Sequence, residues 1–404
     1  MPNENLDGII DIIFKAVDKL PDPPREKLKK ELVKIKELVM DARPPKIMIV
    51  GRRGAGKSSL INAFFREKVA AVGSVLSETG EAEWHEFKNS KGSIKILDTR
   101  GIGDKTKPKS SNFKNSIDEI KNAINEDCPD ILLFLCKAKE VDAHISEDLK
   151  NILEIRDYIS DNHNYEIPVI SLITQVDELD PKRVMPPYND EIKQKNINQA
   201  IDAINNIFTD KKIDLINSIP ICAYAQYENG KLISDEFWNI DTVLELLIEK
   251  LPNNAQLALA RISALNSVQT KFSRILIGST ATVCAGIATV PIPIADLIPI
   301  TSAQIAMITG IAYISGRELS KDSAKEFLVA LGANVGVGFA LREGARALVK
   351  FVFPGAGSVI SAGIAFAATW GIGESAITYF IDKKSIEETK LRFNDAKDEH
   401  KYKE

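Results

Sequence analysis

The stretch GRRGAGKSS, residues 51 to 59, follows the apolar run KIMIV and sets Gly51, four residues, then Gly56, Lys57 and Ser58. That is the spacing of a phosphate-binding loop. Glycines let the backbone curl so that successive N–H groups converge on one anion, and the helix that follows adds its positive N-terminus. In this pattern Gly51, Gly54, Ala55, Gly56 and Ser59 belong to the cradle, and Lys57 reaches the β- and γ-phosphates. Ser58 offers its hydroxyl to Mg2+. The β-branched residues before the loop read as a strand and SSLINAFFRE after it as a helix, which is the context the motif needs.

A phosphate loop alone does not choose a base, so its partners are sought at strand ends. The run SIKILDTRGIGD puts Asp98 at the end of a strand and Gly101 just beyond it. An aspartate there holds Mg2+ through water, and the glycine N–H meets the γ-phosphate. PVISLITQVDEL ends a later strand with Thr174, Gln175, Val176 and Asp177. A carboxylate at 177 accepts both N–H donors of the guanine edge, a pair that adenine lacks. IPICAYA ends the next strand, where the backbone of Cys222 and Ala223 can donate to the guanine oxygen. Each motif is weak by itself. Four in this order, each at a C-terminal strand edge, are strong, because open α/β sheets bind ligands along that edge.

Strands are expected at 46–50, 82–88, 93–97, 130–136, 168–174 and 218–222, alternating with helical stretches up to about residue 250. This predicts an α/β fold with a mostly parallel sheet over 44–250. Two amphipathic helices precede it, at 6–20 and 24–42, the second with Leu28, Leu32, Ile35 and Leu38 on one face and Pro24 near its start. After Leu251 charges thin out: between Arg274 and Arg317 the sole ionisable acid or base is Asp296, and a second apolar region runs from 353 to 373. The expected divisions are N-terminal helices at 1–43, the α/β domain at 44–250, an apolar helical domain at 251–383 and a charged tail at 384–404.

Together the motifs GRRGAGKSS, DTRG, TQVD and CAY resemble the Era-like and dynamin-like branch of the translation-factor-related P-loop GTPases. The resemblance covers about 44–250 and implies GTP and Mg2+ binding, with hydrolysis to GDP. It also implies a Mg2+-binding, γ-phosphate-sensing threonine before the second strand. Ser74, Ser77 and Thr79 are all available, and Thr79 is the choice. Three departures from the family stand out: Gln175 replaces a lysine that packs across the base, Ile102 occupies the place of a water-orienting glutamine, and Gly54 replaces an asparagine used by potassium-dependent members. Arg53 lies where dynamin-like members place a catalytic polar side chain, so it is the candidate for stabilising the transferring phosphoryl group, in cis or across a nucleotide-dependent homodimer.

Residues 265–382 resemble a C-terminal domain of unknown function fused to bacterial Era-like GTPases, through PIPIAD, the QIAMI run from Gln304, and FPGAG. The apolar runs read either as membrane segments or as a buried bundle in which small residues pack closely. The run before Pro291 is short for a spanning helix. The expectation is an all-helical module, built from the N-terminal helices and the C-terminal region, that contacts membrane lipid from the cytoplasmic side. The leading function is a GTP-driven switch or mechanoenzyme controlling that module. The alternatives are a GTP-binding interaction protein with negligible turnover and an Era-like ribosome-assembly factor. A net charge of −4, with no basic domain after the α/β region, argues against nucleic acid as a partner. The four cysteines show no paired spacing, which fits reduced, buried thiols in the cytoplasm.

Overall fold

Central strands of nearly continuous apolar residues, ILLFLCK and VISLIT, require cover on both faces, and that need organises the α/β unit. The computed structural model describes residues 4–70, 82–98, 116–141, 145–289, 298–331 and 361–401. The chain divides into two compact units, one spanning Pro44–Pro252 and one combining Met1–Arg43 with Asn253–Glu404.

In the first unit the strands are β1 (Lys46–Gly51), β2 (Glu83–Asn89), β3 (Gly92–Asp98), β4 (Ile131–Lys137), β5 (Val169–Thr174) and β6 (Asn217–Pro220). They form one sheet in the order β2-β3-β1-β4-β5-β6. The pair β2–β3 is antiparallel, and every other neighbouring pair is parallel. The mostly parallel sheet expected from the sequence is present.

Alternation along the strands splits the core between two faces. Met48, Val50, Leu97, Leu132, Phe134, Val169 and Ile173 join a cluster with the helices at Ser116–Glu126, Ile145–His163 and Glu191–Asp210. The helices at Lys57–Phe65 and Ile240–Lys250 pack against each other and bury Leu60, Phe64, Val243 and Leu247. In chain order, following two N-terminal helices, these are α3 (Lys57–Phe65), α4 (Ser116–Glu126), α5 (Ile145–His163), α6 (Glu191–Asp210) and α7 (Ile240–Lys250).

A two-stranded hairpin, β7 (Ala225–Glu228) and β8 (Lys231–Asp235), was not anticipated from the sequence. Its signal was there to read. Asn229 and Gly230 both adopt positive φ, 49° and 80°, as a two-residue hairpin turn requires.

The second unit combines α1 (Glu4–Val17) and α2 (Pro24–Val39) with α8 (Asn253–Ser263), α9 (Asn266–Ile287), α10 (Ile298–Ile314), α11 (Lys321–Ala330), α12 (Ala362–Phe380) and α13 (Ile386–Lys401). Among the described residues the module of N-terminal and C-terminal segments is helical, as expected. Pro24 stands in the first turn of α2, where a missing N–H costs nothing. α10 is buried nearly all round and contacts α1, α8, α9, α11 and α12, so its apolar sequence is spent inside the unit.

Some small polar residues of this core bond back one turn through their hydroxyls. Thr280 donates to the Leu276 carbonyl and Thr369 to Ala365, each at 2.8 Å. Among the described residues no helix is long and apolar enough to cross a membrane. Asp296 and the PIPIAD and FPGAG segments lie outside the described residues.

Candidate functional site

β1 ends at Gly51 and α3 begins at Lys57, so five residues must turn the chain from sheet to helix. The turn presses against the neighbouring strand. A Cβ on Gly51 would lie 2.8 Å from the Leu135 carbonyl oxygen of β4, so a side chain there is excluded. Gly54 and Gly56 take φ of 77° and 91°, the left-handed region where glycine is at ease. Such a curled run at a helix N-terminus fits an anion, and this is the feature of the structure that suits a phosphate. The Lys57 ammonium donates to the Gly51 carbonyl at 2.9 Å, arched back over the loop. Ser58 and Ser59 occupy the first turn of α3, half-buried.

Two adjacent arginines differ in placement. Arg52 forms a forked pair with Asp148 of α5, Nε at 2.9 Å and Nη2 at 3.3 Å, and the Asp148 side chain is almost wholly buried. Arg53 is exposed. Arg52 is thus a strut between the loop and α5.

The segment after β5 is tied to the loop by side chains. Thr174 Oγ1 donates to the Ala55 carbonyl at 2.9 Å, and Gln175 Nε2 donates to the Gly54 carbonyl at 2.7 Å. Gln175 itself has φ of 58°, which turns the chain into a short 3-10 turn, Val176–Glu178, that carries Asp177. Sheet bonds hold the ends of β5 and β6 together, with Ile221 N–H donating to the Ile173 carbonyl at 2.8 Å. The Cys222 thiol has Asp177 and Tyr188 among its side-chain neighbours, and burial pushes it up to about 12. The two base-edge segments expected from the sequence are therefore brought together.

One expectation needs correcting. Cys222 exchanges both backbone bonds with Trp238, its N–H donating at 3.2 Å and its carbonyl accepting at 3.0 Å. Its N–H is committed to Trp238 and is not free to donate to a base oxygen.

Asp98 ends β3 in register with Ile49 of β1, so its backbone arrives beside the strand that feeds the phosphate loop. Ser58, in the first turn of α3, carries a hydroxyl, a hard oxygen donor of the kind Mg2+ takes. Gly101, Ile102, Ser74, Ser77 and Thr79 lie outside the described residues. Among the described residues no cluster of His, Cys, Asp and Glu is placed to hold a metal by itself. Burial also pushes Cys136 and Cys284 to about 12 and Cys128 to about 11, as befits unreactive thiols.

The sequence reading missed Lys193, whose side chain is fully buried on α6. Its ammonium donates to the carbonyls of Asp177 at 2.9 Å and Leu179 at 2.6 Å. The signal was its position: Lys193, Ile197, Ala200, Ile204 and Phe208 form the buried stripe of α6, so a lysine occupies an apolar place.

A mostly parallel sheet with a glycine-cradled loop at the mouth of α3, bonded to a TQVD turn, is the architecture of a P-loop GTPase domain. Comparison with known proteins agrees. Residues 46–175 match the family described as 50S ribosome-binding GTPase, and 253–399 match the Domain of unknown function (DUF697). Residues 46–175 are thus similar to P-loop GTPase domains, those of Era and MnmE among them, and residues 253–399 to the DUF697 domain.

It is similar to the tRNA modification GTPase MnmE of Mycoplasma genitalium, 33% identical over 31% of this chain and 27% of the relative. It is also similar to GTPase Era of Thermoanaerobacter pseudethanolicus, 28% identical over 42% of this chain and 51% of the relative. The chain spans about a quarter to a half of the length of these curated relatives. A solved structure of Era in complex with MgGDPNP and nucleotides 1506–1542 of 16S ribosomal RNA is 18% identical, over 60% of this chain and 68% of that one, with a TM-score of 0.34.

Proposed function

We propose that the chain binds GTP with Mg2+, hydrolyses it to GDP, and uses the cycle as a switch that controls its helical unit. The observation that carries this reading is the pair of bonds from Thr174 and Gln175 to the carbonyls of Ala55 and Gly54. They join a base-selecting turn to a phosphate cradle, so one nucleotide would engage both. In this reading Gly51, Gly54, Ala55, Gly56 and Ser59 hold the phosphates by their backbone, and Lys57 leaves the Gly51 carbonyl for the β- and γ-phosphates. Asp177 takes the two N–H donors of guanine, and Ala223 faces its oxygen.

Ser58, Asp98 and Thr79 are the proposed holders of Mg2+, and Gly101 donates to the γ-phosphate. When bound, Mg2+ neutralises phosphate charge. Arg53 is the proposed stabiliser of charge on the transferring group. The test is single-turnover hydrolysis with purified protein, with and without Mg2+. Tight GTP binding with no turnover under either condition would favour the alternative of an interaction protein that holds GTP without using it.

The helical unit is proposed to meet the inner membrane face by surface contact, because α9, α10 and α12 spend their apolar residues on one another. Flotation with liposomes in the GDP state and with a non-hydrolysable GTP analogue tests this. A second reading, an Era-like ribosome-linked role, is supported by the family description matched by residues 46–175. Co-sedimentation with ribosomal subunits in the two nucleotide states separates it from the first.

A further inference from the structure

The α6 residues behind the TQVD turn do more than fill the core. Lys193 is fully buried, and its ammonium bonds the carbonyls of Asp177 and Leu179 and lies 5.0 Å from the centre of the Tyr188 ring. A buried ammonium is costly unless its protons find acceptors. Here two carbonyls and an aromatic face supply them.

Neighbouring side chains act in the same way. Asn196 Nδ2 donates to the Asp180 carbonyl and Gln194 Nε2 to the Tyr188 carbonyl, both at 2.8 Å. Asp190 caps the helix and receives the N–H groups of Ile192 and Lys193, which fixes the turn from which Lys193 projects. The first two turns of α6 therefore collect four carbonyls from the segment 177–188. The turn that carries Asp177 is itself a single 3-10 turn, closed by Glu178 N–H to the Gln175 carbonyl and Leu179 N–H to the Val176 carbonyl.

We propose that Lys193 is the positioning residue of base recognition: by fixing the carbonyls of Asp177 and Leu179 it aims the Asp177 carboxylate at the guanine edge. The proposal rests on the GTP-binding reading above. A methionine of similar length would satisfy the apolar stripe of α6 without burying a charge, so packing alone does not call for lysine here. Burial pulls the lysine's pKa down, while Asp177 and Asp180 oppose that shift and favour the charged form that donates to both carbonyls.

The test compares GDP with IDP, which lacks the exocyclic amine that donates to the carboxylate. Affinities are measured by calorimetry for wild type, Lys193→Met, Asp177→Ala and the double variant, with thermal melting to confirm that each is folded. Wild type should prefer GDP, Lys193→Met should shrink that preference about tenfold, and the change should vanish in the Asp177→Ala background. A proportional loss of both nucleotides in Lys193→Met, or a reduced preference that persists without Asp177, overturns the positioning role. If Lys193→Met does not fold, Asn196→Ala replaces it. A lowered GDP preference then supports the α6 latch, and an unchanged preference overturns it. Wild type that binds ADP as well as GDP would overturn the GTP-binding reading itself, an outcome seen before any variant is compared.

Discussion

The Gln175 side-chain amide donates to the Gly54 carbonyl at 2.7 Å across a separation of 121 residues, and both residues sit in left-handed backbone, at φ of 58° and 77°. The family resemblance has lysine at this position. The structure shows what the shorter amide does: it closes the phosphate loop onto the turn that carries Asp177. A neutral hydrogen bond of this kind contributes about 0.5–1.5 kcal/mol. Gln175→Ala should therefore weaken GDP binding by up to about tenfold. Gln175→Lys should keep most of the affinity, because its ammonium can reach the same carbonyl while its methylenes cover the base. Equilibrium binding of a fluorescent GDP analogue checks both.

Asp177→Asn should exchange one base for another. The substitution replaces an acceptor pair with one acceptor and one donor, so guanine loses a partner and xanthine, which carries an oxygen at that edge, gains one. Loss of a buried match of this kind costs on the order of 1–3 kcal/mol. The expected result is weaker GTP binding together with new binding of xanthosine triphosphate, read by calorimetry. Tight ATP binding by wild type would count against the assignment of Asp177.

Much of this site was legible because its parts are local in sequence. The loop glycines announce a curled backbone, and the motif order announces a shared strand edge. The two-face core was legible in the same way, since β4 and β5 are apolar at nearly every position. Long-range relations were not. Nothing local in RR tells Arg52 from Arg53, because the distinction is made by Asp148, which is 96 residues away. Nor does the CAY motif show that the Cys222 N–H is spent on Trp238. Lys193 was hidden for a third reason: a lysine in a helix reads as solvated surface until its neighbours on the same face are seen to be buried.

The helical unit contains a carboxylate whose ionisation should matter. Glu374 of α12 is buried and accepts from Arg274 of α9 at 2.9 Å and from Arg392 of α13 at 2.8 Å. Burial alone would raise its pKa, but the two arginine hydrogen bonds outweigh it and hold Glu374 below its ordinary 4.5. A carboxylate depressed on folding stabilises the fold fully above its unfolded value, and that stability is lost as pH falls through the lowered one. The unit should therefore resist unfolding down to about pH 4.5 and weaken below it, more steeply in wild type than in Glu374→Gln. Removing charge-assisted bonds costs about 1.5–3 kcal/mol, so Glu374→Gln should also unfold earlier in urea at pH 7. Denaturant titrations across pH provide the check.

Docking of α13 on α12 should depend on a missing side chain. A Cβ on Gly371 would lie 2.8 Å from the Phe393 carbonyl oxygen and 3.2 Å from the Lys397 Cβ. The first obstacle is backbone, so it cannot rotate away. Gly371→Ala should lower stability by about 1–3 kcal/mol and expose the α13 segment to protease. Gly278→Ala on α9 is the matched control, because its Cβ would meet Trp370 at an ordinary 3.8 Å. There the gain in helix propensity should leave stability unchanged or raised by up to about 1 kcal/mol.

Hydrolysis should distinguish the adjacent arginines. Arg52 is committed to Asp148, whereas Arg53 is exposed at the loop and is the proposed stabiliser of the transferring phosphoryl group. Ile102 stands where the family resemblance has a water-orienting glutamine, so basal turnover should be slow and should rise with protein concentration if the catalytic charge is fixed when two α/β units meet. An arginine acting in this way contributes about 10³–10⁵ in rate. Arg53→Ala should therefore abolish the concentration-dependent rise while leaving GDP affinity near wild type. Arg52→Ala should instead weaken nucleotide binding, because the loop loses its strut to α5. The measurement is turnover per molecule across a dilution series for wild type and both variants. Flat turnover in wild type that Arg53→Ala leaves unchanged would remove both the dimer and the arginine. A concentration-dependent rise that survives Arg53→Ala would keep the dimer and assign its catalytic group to another residue.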